Sequence, residues 1–259
     1  MAFSLRPPVA ATLTDFSGHY LAALRAVIIS RAPDVRLMTA DDSLPPGDIR
    51  RAAFELLSIF EFFPAGTVFV CVADPGVGTD RRIVFARTRR HRFLAPDNGL
   101  LSWVEQREKF IELRSVENPA LFLENAGAVF NGRDIFAPVC AALLNGTPPS
   151  KLGPRIEGIK RLPFPQLRKT AGFAEGEIIF VDSFGNCVTN IPSALQGATV
   201  RFKGRKIRVM KSYGFAKPGE YCAVRGSAGF MELAVNGGSF AAKHGASIGA
   251  KARLIYGGD

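Results

Sequence analysis

Segments of two different periods alternate through the first half of this chain, and that alternation limits its fold more than any other feature. Val9 to Thr14 reads as a buried strand ending in Asp15. Tyr20 to Ser30 carries Leu21, Leu24, Val27 and Ile28 at helical spacing, and Val35 to Met38 is extended again. A strand, a helix and a strand in that order imply a parallel sheet with helices on its faces. Ile49 to Phe60 reads as a second helix. Thr67 to Ala73 is a continuous apolar run of the kind buried on both sides of a sheet, and Asp74 follows it. Functional groups in open α/β sheets collect beyond the carboxyl ends of the strands, so Asp15 and Asp74 point to one shared crevice. Each aspartate read alone also fits a residue that hydrogen-bonds the backbone of its own turn.

The second half follows a different rule. From Gly146 to Phe173 the chain holds Pro148, Pro149, Pro154, Pro163 and Pro165 among glycines and charges, with little apolar periodicity. Beyond it, short runs at Glu177 to Val181, Ala198 to Phe202, Lys206 to Met210 and Phe230 to Val235 are separated by glycine-containing turns, as in a small antiparallel barrel or sandwich. The expected fold class is α/β. An N-terminal α/β domain with a mainly parallel sheet spans 1–160, a linker 161–175, and a smaller C-terminal antiparallel β-barrel-like domain 176–259.

Composition excludes several function classes. The four cysteines, Cys71, Cys140, Cys187 and Cys222, form no C-x-x-C pair, and none of His19, His91 and His244 has a second histidine one helical turn away. Neither a zinc site nor a redox motif is expected, and the thiols read as buried and free. No apolar run is long enough to span a bilayer, and no basic segment followed by a long apolar stretch opens the chain, so a cytoplasmic protein with no membrane partner is expected. The net charge of +10 concentrates in Arg81, Arg82, Arg87, Arg89, Arg90 and Arg92 and in Lys203, Arg205, Lys206, Arg208 and Lys211. The first run alternates with Ile83 and Phe85 as one face of a strand would, and no recognised nucleic-acid motif accompanies either cluster. Both therefore read as solvated basic faces; nucleic-acid binding, the competing reading, would weaken steeply with salt.

The segment Asp74-Pro-Gly-Val-Gly-Thr-Asp-Arg81 carries the most chemistry. Pro75 fixes one backbone angle while Gly76 and Gly78 open conformations closed to other residues, which lets peptide groups approach a ligand. Asp74 and Arg81, at its two ends, are placed to meet across it. A carboxylate held by a guanidinium can orient a water molecule and accept its proton.

A series of motifs makes a resemblance specific. Thr14-Asp15-Phe16, Leu44-Pro45-Pro46, Phe63-Pro64-x-Gly66-Thr67-Val68, the Asp74–Arg82 loop, Ala95-Pro96-Asp97-Asn98-Gly99-Leu100-Leu101 and Gly132-Arg133-Asp134-Ile135-Phe136-Ala137-Pro138 come in this order. Asp182-Ser183-Phe184-Gly185-Asn186-x-x-Thr189-Asn190-Ile191 and Ser227-x-Gly229-Phe230-x-Glu232-Leu233-Ala234-Val235-Asn236-Gly237-Gly238 follow. Together they resemble the S-adenosylmethionine hydroxide adenosyltransferase family over nearly the whole chain. The resemblance implies a homotrimer with S-adenosylmethionine, the substrate, between the N-terminal domain of one subunit and the C-terminal domain of its neighbour. No further cofactor is implied. It also implies attack on the ribose 5′ carbon by water or hydroxide, releasing adenosine and methionine. The related fluorinases and chlorinases use a halide and carry an aromatic residue where this chain has Asp74, which favours the oxygen nucleophile here.

By the same resemblance, Asp15 matches the aspartate that holds the ribose hydroxyls. Asp182 and Ser227 match the residues around the methionine ammonium and carboxylate, and Asn186 and the backbone near Gly237 match the adenine contacts. Asp74 and Arg81 match two parts of the water-activating set. The third part in the hydroxide-using members is a histidine before Gly-Arg-Asp, and this chain has Asn131 there. An amide donates and accepts hydrogen bonds but takes up no proton near neutral pH. Two further motifs depart from the pattern, at Met38-Thr39-Ala40-Asp41-Asp42 and at Ser17-Gly18-His19. Two functions are therefore weighed: hydrolysis of S-adenosylmethionine with Asn131 as a hydrogen-bonding substitute, and a catalytically weak or inactive S-adenosylmethionine- or adenosine-binding protein.

Overall fold

In the computed structural model, which describes residues 7–127 and 129–256, β1 (Val9–Thr14) is an inner strand of a six-stranded sheet. Its parallel neighbours are β2 (Arg36–Asp41) and β3 (Val68–Val72), and β3 pairs in parallel with β5 (Arg92–Pro96). The edge beyond β5 turns antiparallel through β4 (Ile83–Arg87) and β6 (Glu112–Ser115). Every residue of β3 is buried. Val68, Val70 and Val72 pack with Leu24 and Ile28 of helix α1 (Gly18–Arg31) and with Val139 and Leu143 of α3 (Ala137–Leu144). Phe69, from the opposite face, stacks on Phe93 with ring centroids 5.2 Å apart. Helix α2 (Ile49–Ile59) starts where Asp48 accepts a hydrogen bond from the Arg51 backbone N–H at 2.9 Å, an N-cap that satisfies a donor the helix leaves open.

The chain divides into two compact units, Met1–Leu162 and Pro163–Asp259. The part of the proline-rich stretch that belongs to the first unit, up to Leu162, is ordered within it. The Ser115 N–H donates to Pro154 O at 3.0 Å, the Lys160 N–H to Asp97 at 2.6 Å, and Trp103 Nε1 to Leu162 O at 3.1 Å. Prolines remove periodicity without removing structure, because fixed backbone angles and carbonyl acceptors suffice to dock an extended segment.

In the second unit all paired strands are antiparallel, in the order β11-β10-β14-β8-β9-β13-β12, with β7 (Arg168–Lys169) beside β8 (Phe173–Val181). The others are β9 (Cys187–Pro192), β10 (Thr199–Phe202), β11 (Arg205–Arg208), β12 (Tyr221–Arg225), β13 (Phe230–Val235) and β14 (Lys251–Ile255). The chain after β11 returns to β12, where the Met210 N–H donates to Ala223 O at 2.8 Å. This nearly closes the sheet into a barrel around Val200, Phe202, Ile207, Leu233, Phe240 and Leu254. Among the described residues no helix is long and apolar enough to cross a membrane.

His91 makes the first unit sensitive to acid. It is 1% exposed, its ring sits among Phe60, Phe69 and Phe93, and neither ring nitrogen has a partner among the described residues. Burial, helped by the Arg90 charge and opposed by Glu108, lowers its pKa from 6.5 to about 4. The imidazole is thus neutral in the fold while the unfolded chain takes up a proton as pH falls below 6.5. Stability contributed by this group is complete above pH 6.5 and is lost as pH falls towards 4, by up to about 3 kcal/mol. Urea midpoints at pH 7 and pH 4.5 should therefore differ more for the wild type than for His91→Leu; equal differences would remove His91 as the cause.

Candidate functional site

β1 and β3 are adjacent and parallel with Thr14 opposite Val72, so the residues that follow them leave the sheet side by side. The Asp15 N–H continues the ladder by donating to Val72 O at 3.1 Å, and one Asp15 carboxylate oxygen accepts from the Gly47 N–H at 2.8 Å. The end of β3 is held from the other side, where Asn98 Nδ2 donates to Ala73 O at 2.8 Å. Sheet topology alone therefore brings Asp15 and Asp74 to one crevice, as their place after apolar runs predicts.

The loop after Asp74 folds back on itself. Asp74 Oδ1 accepts from the Gly76 N–H at 3.2 Å, and the Thr79 N–H and hydroxyl both donate to Gly76 O. This turn returns Arg81 to Asp74: Arg81 Nε donates to Asp74 Oδ2 at 2.6 Å, and an Arg81 terminal nitrogen also contacts that oxygen. The two side chains are 7% and 5% exposed. So little exposed, the pair is fixed in place rather than exchanging with solvent, and it leaves Asp74 directed at the cleft.

That cleft has a volume of about 270 Å³ and is lined by Asp15, Asp74 and Asn131 on its polar side and by Val72, Val77, Val129 and Phe130 among its apolar lining. Phe130 is held edge-on by Phe16 and Tyr20, at centroid distances of 5.9 and 5.3 Å. Asn131 leads into a single π-helical turn, Gly132–Phe136, whose buried Asp134 accepts from the Gly127 N–H at 3.0 Å and from Arg133. Arg133 holds the Asp134 carboxyl below its usual range against the opposing effect of burial, and the Gly127 N–H adds to this. The loop carrying Phe130 and Asn131 is thereby tied to the helix that follows it. Sequence reading missed the roles of Tyr20, Val129 and Phe130 in this wall. Nothing in their spacing separates an aromatic that lines a cleft from one that fills a core.

The second unit carries its own concave site, about 550 Å³, whose lining includes Phe184, Asn186, Tyr213, Gly237 and Ser239. Asp182 shapes it by accepting from the backbone N–H groups of Phe184 and Asn186 and from Asn186 Nδ2, at 2.8 to 2.9 Å. A glycine is required at 185, where φ is +79° and a Cβ would lie 2.0 Å from Ser239 Oγ. Asn186 and Gly237 therefore share one pocket, and Asp182 stands behind it. Ser227 is exposed on the turn between β12 and β13, next to Gly226, where a Cβ would lie 1.9 Å from Glu232 Oε1. Sequence reading gave no role to Tyr213 or Glu232. The Tyr213 hydroxyl donates to the buried Glu232 carboxylate, and both groups are raised in pKa by burial, with the Asp182 charge adding to each. Among the described residues no group of three His, Cys, Asp or Glu side chains is placed to hold a metal ion.

Comparison with known proteins covers both units. The family model for the SAM hydroxide adenosyltransferase N-terminal domain matches residues 11–153, and that for the C-terminal domain matches residues 176–253. A protein of Thermus thermophilus named (R)-S-adenosyl-L-methionine hydrolase is 39% identical over 94% of this chain and 98% of its own length. One of the same name from Salinispora arenicola is 35% identical over 87% and 89%. The crystal structure of an uncharacterised conserved protein from Thermotoga maritima superposes with a TM-score of 0.88 at 33% identity, covering 95% of this chain and all of that one. With both domains matched in order and such identity sustained over nearly the full length, the chain belongs to the SAM hydroxide adenosyltransferase family.

Proposed function

We propose that the protein hydrolyses S-adenosylmethionine to adenosine and L-methionine. The observation that carries this reading is the buried Asp74–Arg81 pair at the carboxyl end of β3, beside Asp15 in the same cleft. A water oxygen forms a bond to the ribose 5′ carbon while the carbon–sulfur bond breaks and its electron pair returns to the methionine sulfur. The sulfonium supplies its own leaving group, so the protein has mainly to place and desolvate the water. In this reading Asp74 orients the water and takes its proton, Arg81 fixes Asp74, and Asn131 hydrogen-bonds the nucleophile. Asp15 accepts from the ribose hydroxyls, Asp182 and Ser227 hold the amino-acid end, and Asn186 and the Gly237 backbone meet the adenine. Relatives named hydrolases at 33–39% identity favour turnover over the binding-only alternative.

The reading extends to a homotrimer with sites shared between subunits, working in the cytoplasm, where four buried free thiols stay reduced. One preparation tests it. Light scattering should give three times the 28.0 kDa chain mass, and S-adenosylmethionine should raise the melting temperature by mass action and be converted to equal amounts of adenosine and methionine. A strictly monomeric mass would remove the trimer; neither shift nor product at millimolar substrate would remove the function.

A further inference from the structure

Beyond Arg81 lies a second concavity in the first unit, to which the reaction above gives no part. It has a volume of about 360 Å³, and its lining includes Thr79, Arg81, Ser115, Glu117, Asn131 and Ile135. Strand register builds it. Val84 of β4 lies opposite Ser115 of β6 and the Val116 N–H donates to Ile83 O at 2.8 Å, so the residues that enter β4 and those that leave β6 run side by side. The π-helical turn and the residue before it supply another wall through Ile135 and Asn131. Asn131 also lines the cleft that holds Asp15 and Asp74, so the two spaces meet at one side chain.

Three polar groups facing this concavity have hydrogen-bonding capacity left over. Ser115 is 2% exposed, and among the described residues its hydroxyl has no partner. The Asn131 amide has none either. Among the described residues Asp74 is the only partner of the Arg81 side chain; its buried Nη2 contacts the Asp74 carboxylate without forming a hydrogen bond of good geometry, and other N–H groups of the guanidinium remain over. Polar groups so little exposed are as a rule paired, with protein or with ordered water. A water needs two to four such partners and about 30 Å³, so this space has room for about ten. An anion is a poorer fit, because the exposed carboxylates Asp80 and Glu117 line the same space and Arg82 is taken up by Asp97.

Hydrolysis needs such a supply. Each turnover consumes one water, while a nucleoside seated in the 270 Å³ cleft displaces the water already there. The attacking water keeps one hydrogen in the new 5′ hydroxyl and gives the other to Asp74, from which that proton must reach solvent before the next turnover. We propose, resting on the hydrolytic reading, that the second concavity is the water store of this site: water held by Ser115 Oγ, the Asn131 amide and the Arg81 guanidinium feeds the nucleophile to Asp74 while substrate fills the cleft, and carries the released proton away. Arg81 only donates, so it turns water oxygens towards itself and leaves their hydrogens for Asp74, Ser115 Oγ and Asn131 Oδ1.

The test fills this space reversibly. All four native cysteines are buried, so a cysteine introduced by Glu117→Cys at the exposed rim can be labelled selectively with methyl or benzyl methanethiosulfonate. The benzyl label should lower kcat about tenfold or more below that of the same variant unlabelled, the methyl label less, with S-adenosylmethionine affinity unchanged and kcat restored by dithiothreitol. The benzyl label on Asp34→Cys, exposed between α1 and β2, should change neither. Ser115→Ala should lower kcat about three- to tenfold at unchanged affinity, the scale of one lost hydrogen bond, and Ser115→Thr, which keeps the hydroxyl, should recover most of that loss. If the wild type releases no adenosine, the hydrolytic reading falls and the water store with it. If it does release adenosine, the water store alone is overturned when the benzyl label or Ser115→Ala leaves kcat unchanged, or when either weakens binding instead of turnover.

Discussion

Asp74→Asn should lower the rate of adenosine release by about 10²–10⁴, the usual scale for loss of an acid/base group, while leaving S-adenosylmethionine affinity within a few-fold of wild type. Asparagine keeps the size of the side chain and one oxygen to accept from Arg81 Nε, while its amide nitrogen replaces the oxygen that accepts from the Gly76 N–H at 3.2 Å, so the loop between residues 74 and 81 loses one long hydrogen bond and should otherwise hold its shape. It removes the negative charge and the proton acceptor. Asp74→Ala should abolish hydrolysis as well, but with an added effect on folding. It leaves the Arg81 side chain, 7% exposed, without its counter-charge, and breaking a buried pair in this way costs about 3–5 kcal/mol. Chromatographic detection of adenosine, with melting temperatures for both variants, separates the two effects. Should Asp74→Asn bind normally and turn over at the wild-type rate, Asp74 has no part in activating water.

Asn131→His should act in the opposite direction and raise the hydrolysis rate by about tenfold or more. Asn131 lines the cleft together with Asp15 and Asp74, at the start of the π-helical turn, and no side chain pairs with its amide among the described residues. An imidazole placed there adds a group that can accept a proton near neutral pH, which an amide cannot. A gain in kcat with little change in affinity, and with a new inflection in the pH profile near the histidine pKa, is the expected pattern. If the variant binds S-adenosylmethionine normally but turns over no faster, water activation does not limit this protein, and Asn131 belongs to a site adapted to work without the imidazole.

Some of this architecture was legible in order and period alone. Buried runs that end at Asp15 and Asp74, with α1 between them, imply parallel neighbours whose carboxyl ends share a crevice. The meeting of Asp74 and Arg81 also followed from their loop, because glycines and a proline in so short a segment favour a turn that returns on itself. Other elements left no such trace. Arg92–Pro96 forms the inner strand β5, yet its apolar part is too short to tell from a turn; pairing with both β3 and β4 decides it. β9, β12 and β14 were missed for the same reason, and β8 begins at Phe173, within the stretch assigned to a linker.

For this protein, then, the sequence by itself determined the local matters: which runs are buried on both faces, which residues follow them, and which turn geometries the glycines permit. Backbone sterics and periodicity act over a few residues, so they can be read from a few residues. The tertiary structure alone decided what depends on register between distant strands. It placed Tyr213 against Glu232, 19 positions away, and it sealed His91 among three phenylalanines. It also aligned Lys206, Arg201, Arg253 and Arg168 across one sheet face while tying most of the equally basic run near Arg81 to carboxylates and carbonyls. A charge in sequence has no side until a strand gives it one, because a shift of one residue in register moves every side chain of that strand to the opposite face.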